Sequence, residues 1–391
     1  MRLASLAFAL LLAWSTVALD IHAASNAARA DTTAIVTVPF VVDIGGLGGV
    51  ETEGALTHPS PDGRFGPGPY PVVLLIHGNG PQDMDATLPT PEGPQRLFYD
   101  LAHALSARGF AVVRYHKRFV YSNGRINGGF WEEQSTVTFT DDADKVLNAA
   151  LALGPADADR VFVYGWSEGT AVGAALSARR LDVDGLITHG AVGLPYRDMA
   201  HAWIAEVGAT YARSFAASDT ITAASLRQAG RGSGGMVAKL GAAFLTDPSF
   251  QQTGQYAVSR YVDADGDEQL SPAEVETNLG AVLDFMFSQA GNLYIYADGR
   301  TVPTVTEQAE ALAMPVLILQ GEHDASTPVR GAQALHDALR TAGNSDVTLK
   351  LYPGLGHALG PAASLTDDIP RPMPATVIDD IVQWLQDRSG E

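Results

Sequence analysis

Residues 161–170 read Val161-Phe162-Val163-Tyr164-Gly165-Trp166-Ser167-Glu168-Gly169-Thr170. The first four residues are an apolar run, which predicts a buried strand, and residues 170–179 predict a helix. Ser167 therefore lies in a sharp turn between a strand and a helix. Glycine fits at both flanking positions because the backbone there packs too closely for a Cβ atom. Such a turn holds a serine hydroxyl clear of the backbone, as a nucleophile requires.

The Gly-X-Ser-X-Gly pattern is a weak signal when taken alone. The chain has 40 glycines among 391 residues, so about one serine in a hundred is flanked in this way by chance. The position of Ser167 between a strand and a helix, together with the acidic residue and histidine that follow it, gives the pattern its weight.

Strands and helices alternate along most of the chain. Predicted strands cover 34–43, 50–57, 72–76, 110–115, 161–164, 186–188, 316–320 and 347–352. Predicted helices cover 94–108, 141–153, 170–179, 329–342 and 375–388. This alternation predicts an α/β fold with a mostly parallel central sheet and helices on both faces.

The alternation stops between residues 196 and 313. This segment is rich in glycine and alanine, has helical signals and lacks the spacing of strands. It predicts an inserted helical cap above the strand ends, where ligands bind in open α/β sheets. The predicted core then comprises residues 31–195 and 314–391.

The amino terminus has the pattern of a secretory signal. Arg2 precedes an apolar run at 3–14, and small residues follow, with Ala28-Arg29-Ala30 and Ala23-Ala24 as alternative cleavage sites. The run is short for a membrane anchor, which needs about 20 residues. The sequence therefore predicts a cleaved signal at 1–30, an exported protein in the periplasm or outside the cell, and no stable membrane insertion afterwards.

Composition excludes several classes of function. The net charge of −19 repels nucleic acids and anionic membranes. The chain has no cysteine, which excludes disulfides, thiolate zinc sites, cysteine nucleophiles and a lipoprotein anchor. With 46% hydrophobic residues, the chain is long enough to bury a full core.

A serine hydroxyl needs a base, and the base needs an orienting carboxylate. Asp324 follows the predicted strand 316–320, and His357 lies in a glycine-rich loop after strand 347–352. Both follow Ser167 in the order serine, acid, histidine, which is one known order of a catalytic triad. The sequence therefore predicts Ser167, Asp324 and His357 as catalytic residues.

Each partner of Ser167 has rivals in the sequence. Glu322 is an alternative acid, but it lies nearer the strand and has a longer side chain than Asp324. His323 is adjacent to Asp324 and cannot easily face it. His336 lies inside a predicted helix, where a packing role is expected. These arguments favour Asp324 and His357.

An oxyanion hole needs two backbone N–H donors. One is expected from Glu168, the residue after the nucleophile. The other is expected from the loop after strand 72–76, which reads His77-Gly78-Asn79-Gly80-Pro81. Asn79 is the favoured donor, with Gly80 as the alternative.

These motifs together resemble the α/β-hydrolase superfamily, and within it the secreted esterases and dienelactone-hydrolase-like proteins with a His-Gly-Ser-Gly-Pro oxyanion loop. The resemblance rests on residues 77–83, the Gly-X-Ser-Glu-Gly turn, Gly-Glu-His-Asp at 321–324 and the late His357. It covers 35–195 and 314–390 but not the cap. Asn79 and His116 differ from the serine and aspartate usual there. Lys117 and Arg118 are expected to form structural ion pairs beneath the site.

Residues 263–274 follow the ligand plan of an EF-hand calcium loop. Side-chain or backbone oxygens fall at the required positions, and the predicted ligands are Asp263, Asp265, Asp267, Gln269 (through its carbonyl), Ser271 and Glu274. Glu268 departs from the plan because this position is normally glycine. Predicted helices flank the loop at 249–261 and 275–286. The alternative is a solvated acidic turn that opens a helix. A calcium ion here would order the cap, far from the chemistry.

The sequence thus predicts an exported serine hydrolase that acts on a small-molecule ester or acyl substrate without a catalytic cofactor. An acyltransferase, a thioesterase or a peptidase would use the same triad. A rival from another class is a non-catalytic, calcium-dependent binding protein on a hydrolase scaffold.

Overall fold

The computed structural model describes residues 35–390 except 47, 48, 123 and 298. The predicted signal at 1–30 lies outside the described residues. Among the helices of the described part, none is both long and apolar enough to span a bilayer.

An eight-stranded sheet forms the centre of the fold. The strands of the described residues are β1 Ile35–Asp43, β2 Glu51–Pro59, β3 Tyr70–Ile76, β4 Thr87–Leu88, β5 Gln95–Arg96, β6 Ala111–Tyr115, β7 Ala156–Trp166, β8 Gly185–His189, β9 Ile221–Thr222, β10 Gln269–Leu270, β11 Val316–Gly321 and β12 Val347–Tyr352. The order in the sheet is β1-β2-β6-β3-β7-β8-β11-β12. β1 and β2 are antiparallel to their neighbours, and the other six strands run parallel. The mostly parallel sheet agrees with the prediction.

The helices connect the parallel strands and also fill the segment between β8 and β11. They are α1 Leu97–Ser106, α2 Gly129–Glu133, α3 Thr136–Leu151, α4 Glu168–Arg179, α5 Tyr196–Ala202, α6 Ala209–Arg213, α7 Ala223–Arg231, α8 Met236–Phe244, α9 Phe250–Thr253, α10 Pro272–Thr277, α11 Gly280–Phe287, α12 Val329–Thr341 and α13 Ala375–Ser389. A π-helical stretch, Trp203–Gly208, joins α5 to α6, and 3₁₀ turns occur at Tyr294–Tyr296, Ala309–Ala311 and Leu365–Asp367.

Helices cover both faces of the sheet. Because successive strand residues point to opposite faces, each strand contributes apolar side chains to the cluster on either face. In β3, Val72 and Leu74 belong to the hydrophobic cluster that includes α3, α4 and α12. Val73 and Leu75 belong to the opposite cluster, with α1 and α13. All seven residues of β3 are buried, which explains why this strand reads as a continuous apolar run rather than an alternating one.

The segment between β8 and β11 has a hydrophobic cluster of its own. Its helices pack mainly on one another, and β9 and β10 form a separate antiparallel pair. The segment also touches the loops at the carboxyl ends of the core strands. Trp203 Nε1 donates a hydrogen bond to the Ser326 carbonyl at 2.7 Å, and Gly235 N donates to the Thr366 carbonyl at 2.9 Å.

The helix predicted at 249–261 is wrong. Only Phe250–Thr253 is helical, because Gly254 takes a left-handed φ of 67° that ends the turn. The helical pattern at 275–286 also splits into two helices, α10 and α11, with Asn278 outside both of them. In both stretches apolar residues recur at helical spacing, but the backbone forms only short helices.

Candidate active site

Ser167 lies at the tip of the turn between β7 and α4. Its backbone has φ 56° and ψ −125°, a region that residues with a side chain rarely occupy and that costs of the order of 1–3 kcal/mol. Ser167 N donates to the His189 carbonyl at 2.8 Å, so the adjacent strand β8 holds the turn. The strained backbone places the Ser167 side chain at the carboxyl edge of the parallel sheet.

The two flanking glycines are required by close backbone packing. A Cβ atom on Gly165 would lie 2.2 Å from the Gly169 carbonyl oxygen, and one on Gly169 would lie 2.2 Å from the Ile76 carbonyl oxygen. Any side chain at either position would displace backbone atoms. This is the physical reason for the Gly-X-Ser-X-Gly pattern in this chain.

Asp324 and His357 are brought together by the loops that follow β11 and β12. His357 Nδ1 lies 2.9 Å from Asp324 Oδ2. A carboxylate can only accept, so Nδ1 carries the proton and Nε2 is left as the basic nitrogen. The Asp324 carboxylate also accepts from the Thr327 amide at 2.7 Å, the Ser326 amide at 2.8 Å and the Gln320 side chain at 3.0 Å. These bonds fix the carboxylate that orients the imidazole.

The pKa of Asp324 is lowered and the pKa of His357 is raised by their contact. Burial alone would raise the pKa of Asp324, but the positive imidazole and the hydrogen bonds lower it from its usual value. Burial alone would lower the pKa of His357, and the nearby Asp324 charge outweighs burial and raises it. Asp324 therefore stays ionised, and the imidazolium form of His357 is stabilised.

His357 is held beside the turn that carries Ser167. Trp166 Nε1 donates to the His357 carbonyl at 3.3 Å, and the two rings have centroids 5.4 Å apart. Gly190 follows His189, whose carbonyl binds Ser167 N. A Cβ atom on Gly190 would lie 3.0 Å from His357 Cε1. The three predicted catalytic residues thus lie on loops that contact one another at one edge of the sheet.

A second carboxylate, Asp368, supports both loops of this pair, and no sequence pattern predicts it. Asp368 Oδ1 accepts from the His357 amide and Oδ2 accepts from the Ala325 amide, both at 2.9 Å. Burial and the Asp324 charge raise the pKa of Asp368 to about 6. A Cβ atom on Gly356 would lie 2.0 Å from Asp368 Oδ1, so glycine there admits the carboxylate.

The loop after β3 lies against the other side of Ser167. A Cβ atom on Gly78 would lie 3.1 Å from the Ser167 Cβ atom. Lys117 Nζ donates to the Gly78 carbonyl at 2.6 Å and to the Gly80 carbonyl at 3.2 Å, so it holds the loop from beneath. Of the two predicted donors, Glu168 follows Ser167 and begins α4, where the first amides have no intrahelical acceptor. Asn79 follows Gly78, and its side chain reaches Glu168.

The side chain of Glu168 pairs with Lys117. Lys117 Nζ lies 2.8 Å from Glu168 Oε1, and both side chains are at least 95% buried. Burial lowers the pKa of Lys117, and the Glu168 charge opposes that shift. Arg118 forms a second buried ion pair with Asp142 at 2.6 Å. Both cations therefore make the structural ion pairs that the sequence predicts.

Two further groups bind the Glu168 carboxylate. Asn79 Nδ2 donates to Oε2 at 3.1 Å, and the Tyr296 hydroxyl donates to Oε2 at 2.8 Å. Asn79 Nδ2 also donates to the Tyr296 hydroxyl oxygen at 2.6 Å. The sequence predicts no role for Tyr296, because it lies 128 residues after Glu168 and no local pattern marks it.

The rival residues lie elsewhere in the structure. Glu322 is exposed. His323 Nδ1 lies 2.7 Å from the Ala362 carbonyl, and His336 lies on α12 with its Nδ1 3.1 Å from Asp337. The imidazole of His357 is the one that contacts Asp324.

The acidic loop at 263–274 gathers three of its predicted ligands. Carboxylate oxygens of Asp263, Asp265 and Asp267 lie within 4.8 Å of one another. Glu268 has a φ of 62°, so the position where the plan expects glycine does take a left-handed backbone here. Backbone amides inside the loop donate to these carboxylates, including Gly266 N to Asp263 at 2.8 Å.

The other three predicted ligands have different surroundings. Ser271 caps α10, and its amide donates to Glu274 Oε2 at 2.9 Å, which completes a capping box. Glu274 Oε1 accepts from the Ala264 amide at 2.9 Å, so its carboxylate also closes the loop. Gln269 lies in β10, paired with Thr222.

Comparison with known proteins agrees with this fold. A family model described as serine aminopeptidase, S33, matches residues 292–360. Esterase EstD of Thermotoga maritima is 36% identical over 126 residues, covering 31% of this chain and 27% of the esterase. A monoacylglycerol lipase of Mycolicibacterium smegmatis is 32% identical over 87 residues, covering 22% of this chain and 26% of the lipase. The chain therefore matches about a quarter of the length of these curated relatives.

The crystal structure of a proline iminopeptidase from Mycobacterium smegmatis superposes with a TM-score of 0.50 at 17% sequence identity, covering 90% of this chain and 98% of that one. At this identity the likeness concerns the fold. Together with the eight-stranded, mostly parallel sheet and its surrounding helices, it shows that the chain has the α/β-hydrolase fold.

Proposed function

We propose that the protein is a serine hydrolase that cleaves carboxylic esters of small molecules. The observation that carries the proposal is the 2.9 Å contact between His357 Nδ1 and Asp324 Oδ2 beside the strained turn of Ser167. The local similarity to an esterase and to a lipase supports an ester as the substrate.

The proposed reaction proceeds through an acyl-enzyme. Ser167 Oγ attacks the ester carbonyl carbon while His357 Nε2 takes the hydroxyl proton, and the Glu168 and Asn79 amides stabilise the oxyanion. The tetrahedral intermediate collapses as His357 gives its proton to the leaving alcohol. A water molecule, deprotonated by His357, then attacks the acyl carbon. The second tetrahedral intermediate collapses and releases the acid as His357 returns the proton to Ser167 Oγ. These steps use only side chains and backbone amides of this chain.

The test compares the wild-type protein with Ser167→Ala on p-nitrophenyl esters of increasing acyl length. We expect wild-type turnover and labelling by a fluorophosphonate probe, and neither with Ser167→Ala at an unchanged melting temperature. Activity retained by the folded variant would contradict the assignment of Ser167. Absence of both turnover and labelling in the wild type would favour a non-catalytic binding protein on this scaffold.

A peptidase is the second candidate, because the family model that matches 292–360 is described as a serine aminopeptidase. Aminoacyl p-nitroanilides separate it from an esterase when they are assayed beside the esters. A kcat/KM that is higher for the anilides would favour the peptidase. An acyltransferase or thioesterase would instead respond to an added alcohol acceptor or to thioester substrates.

The predicted export and calcium binding are separate from the chemistry. Export rests on the sequence pattern at 1–30 and is tested by fractionating cells that express the full chain. Calcium binding rests on the ligand pattern and on the three adjacent carboxylates at 263–267. Millimolar calcium should raise the melting temperature of the wild type and leave Asp265→Asn nearly unaffected. An unchanged wild-type midpoint would contradict a calcium site.

A further inference from the structure

The Glu168 carboxylate receives three side-chain donors, from three distant parts of the chain. They are Lys117 at 2.8 Å, Tyr296 at 2.8 Å and Asn79 at 3.1 Å. Each polar hydrogen of the Tyr296 hydroxyl and of the Asn79 side-chain amide has its own acceptor. The Tyr296 O–H donates to Glu168, while the Asn79 amide uses one N–H for Glu168 and the other for the tyrosine oxygen. Glu168 itself follows the proposed nucleophile, so the network is attached directly to the proposed oxyanion hole.

Tyr296 is the member of this network that comes from the segment between β8 and β11. It ends the 3₁₀ turn Tyr294–Tyr296, and its ring stacks on Tyr196 with centroids 4.1 Å apart and planes 11° apart. Burial and the Glu168 charge raise the pKa of Tyr296. The hydroxyl therefore keeps its proton throughout the neutral range and remains a donor to the carboxylate.

Asn79 is held on both sides of its peptide segment and through its side chain. Lys117 binds the carbonyls of Gly78 and Gly80, and Gly80 has a φ of 89°, a conformation that glycine adopts without steric cost. The Asn79 carbonyl accepts from Gln82 Nε2 at 3.0 Å, and its side chain is held by Tyr296 and Glu168. An oxyanion donor must stay about 2.7–3.1 Å from the developing charge. Fixing the Asn79 side chain limits the drift of its amide.

We propose that Tyr296 is a positioning residue that connects the inserted segment to the oxyanion loop and holds the Asn79 amide in place through the Asn79 side chain. This role rests on the proposed ester hydrolysis. Tyr296 acts through Asn79 and Glu168, and the effect of losing its hydroxyl should appear in the transition state more than in substrate binding.

Tyr296→Phe is the sharpest variant because it keeps the stacked ring and removes only the hydroxyl. We expect kcat for p-nitrophenyl acetate to fall about 10- to 100-fold with KM changed less than about 3-fold, since loss of a whole donor costs about 10²–10³-fold. Tyr196→Phe is the matched control. Its ring stacks on the same tyrosine, but in the described structure its hydroxyl bonds neither Asn79 nor Glu168, so kcat should stay within about 3-fold.

A double-mutant cycle separates positioning from packing. Asn79→Ala removes the side chain but keeps the backbone amide, and we expect it to lower kcat about as much as Tyr296→Phe does. In the Asn79→Ala background, Tyr296→Phe should add less than about a 3-fold further loss. The Asn79→Ala single variant also supplies a test if Tyr296→Phe alone does not fold, because Asn79 is an exposed residue.

Three results would overturn the role of Tyr296 while leaving ester hydrolysis intact. They are an unchanged kcat in folded Tyr296→Phe, an equal loss in Tyr196→Phe, and fully multiplicative losses in the double variant. A wild type that neither hydrolyses esters nor reacts with the fluorophosphonate probe would instead overturn the proposed function, and this role with it.

Discussion

The two sides of Ser167 are built from different parts of the molecule. On the proposed acid–base side, Asp324, His357 and Asp368 all come from the last 70 residues, on loops after β11 and β12. On the proposed oxyanion side, Asn79 and Lys117 follow β3 and β6, and Tyr296 comes from the segment between β8 and β11. The three side chains of the first side all come from the core, whereas one side chain of the second, Tyr296, comes from the segment between β8 and β11.

This difference predicts how substitutions affect the geometry of each side. The acid–base side is held by carboxylates that accept backbone amides, so its geometry follows from the core strands. The oxyanion side depends on one buried ion pair and on one tyrosine of the inserted segment. Loss of the Tyr296 hydroxyl alone should therefore disturb the Asn79 loop and leave the hydrogen bonds to Asp324 in place.

The largest expected effect is on the acid–base side. Asp324→Asn should lower kcat by about 10⁴-fold, because an amide no longer selects the imidazole tautomer with the proton on Nδ1. Steady-state kinetics on p-nitrophenyl acetate would measure the loss. Glu322→Gln is the matched control and should keep wild-type activity. If Glu322→Gln lost activity and Asp324→Asn kept it, Glu322 would be the acid of the triad instead of Asp324.

On the oxyanion side, the largest expected effect is on stability. Lys117→Met should lower the free energy of unfolding by about 3–5 kcal/mol, because it leaves the Glu168 charge buried and unpaired. Arg179→Met is the control, since Arg179 pairs with Asp141 at 2.6 Å with both side chains about half exposed, and it should cost at most about 1 kcal/mol.

Urea unfolding at pH 7 would compare the two variants with the wild type. Adding Glu168→Gln to Lys117→Met should recover part of the loss, because the added substitution removes the unpaired charge. Equal small losses in Lys117→Met and Arg179→Met would show that the buried pair contributes no more than an exposed one, and the contrast between the two sides would then weaken.

The smallest expected effect is a shift in pH dependence. Against the effect of burial, the Asp324 charge is the main cause that raises the pKa of His357, and the Asp368 charge adds to it. Removing that charge with Asp368→Asn should lower the His357 pKa. Because the neutral imidazole is the active base, the acid limb of the kcat/KM profile should move to lower pH.

Asp367→Asn is the control for this shift, since Asp367 pairs with Arg371 at 3.2 Å and is more exposed. Its profile should match the wild type. An acid limb that stays in place in Asp368→Asn, or that moves to higher pH, would contradict the electrostatic role of Asp368.

Local patterns predicted most of the core. Each predicted core strand and helix has a counterpart, with boundaries that differ by a few residues, because apolar runs and glycine stops are encoded in neighbouring residues. The Ser167 turn was also readable, since its two glycines are forced by backbone contacts that the pattern itself implies.

Contacts between distant residues were not predictable in the same way. Asp368 was missed because its partners, the His357 and Ala325 amides, carry no sequence signal. Tyr296 was missed because its bond to Asn79 spans 217 residues. The failed helix at 249–261 has the opposite cause: a locally favourable pattern was overridden by the left-handed Gly254. The catalytic and oxyanion assignments stay predictions until they are tested.

The unusual backbone of Ser167 has a practical consequence. Its φ of 56° is imposed by the surrounding strand and loop backbone, and alanine carries the same Cβ atom as serine. Ser167→Ala should therefore preserve the backbone of the turn and its surroundings while being unable to form the acyl bond. Incubated with an extract of the native environment, that variant would retain intact ester molecules, and mass spectrometry of what it releases on denaturation would reveal their identity.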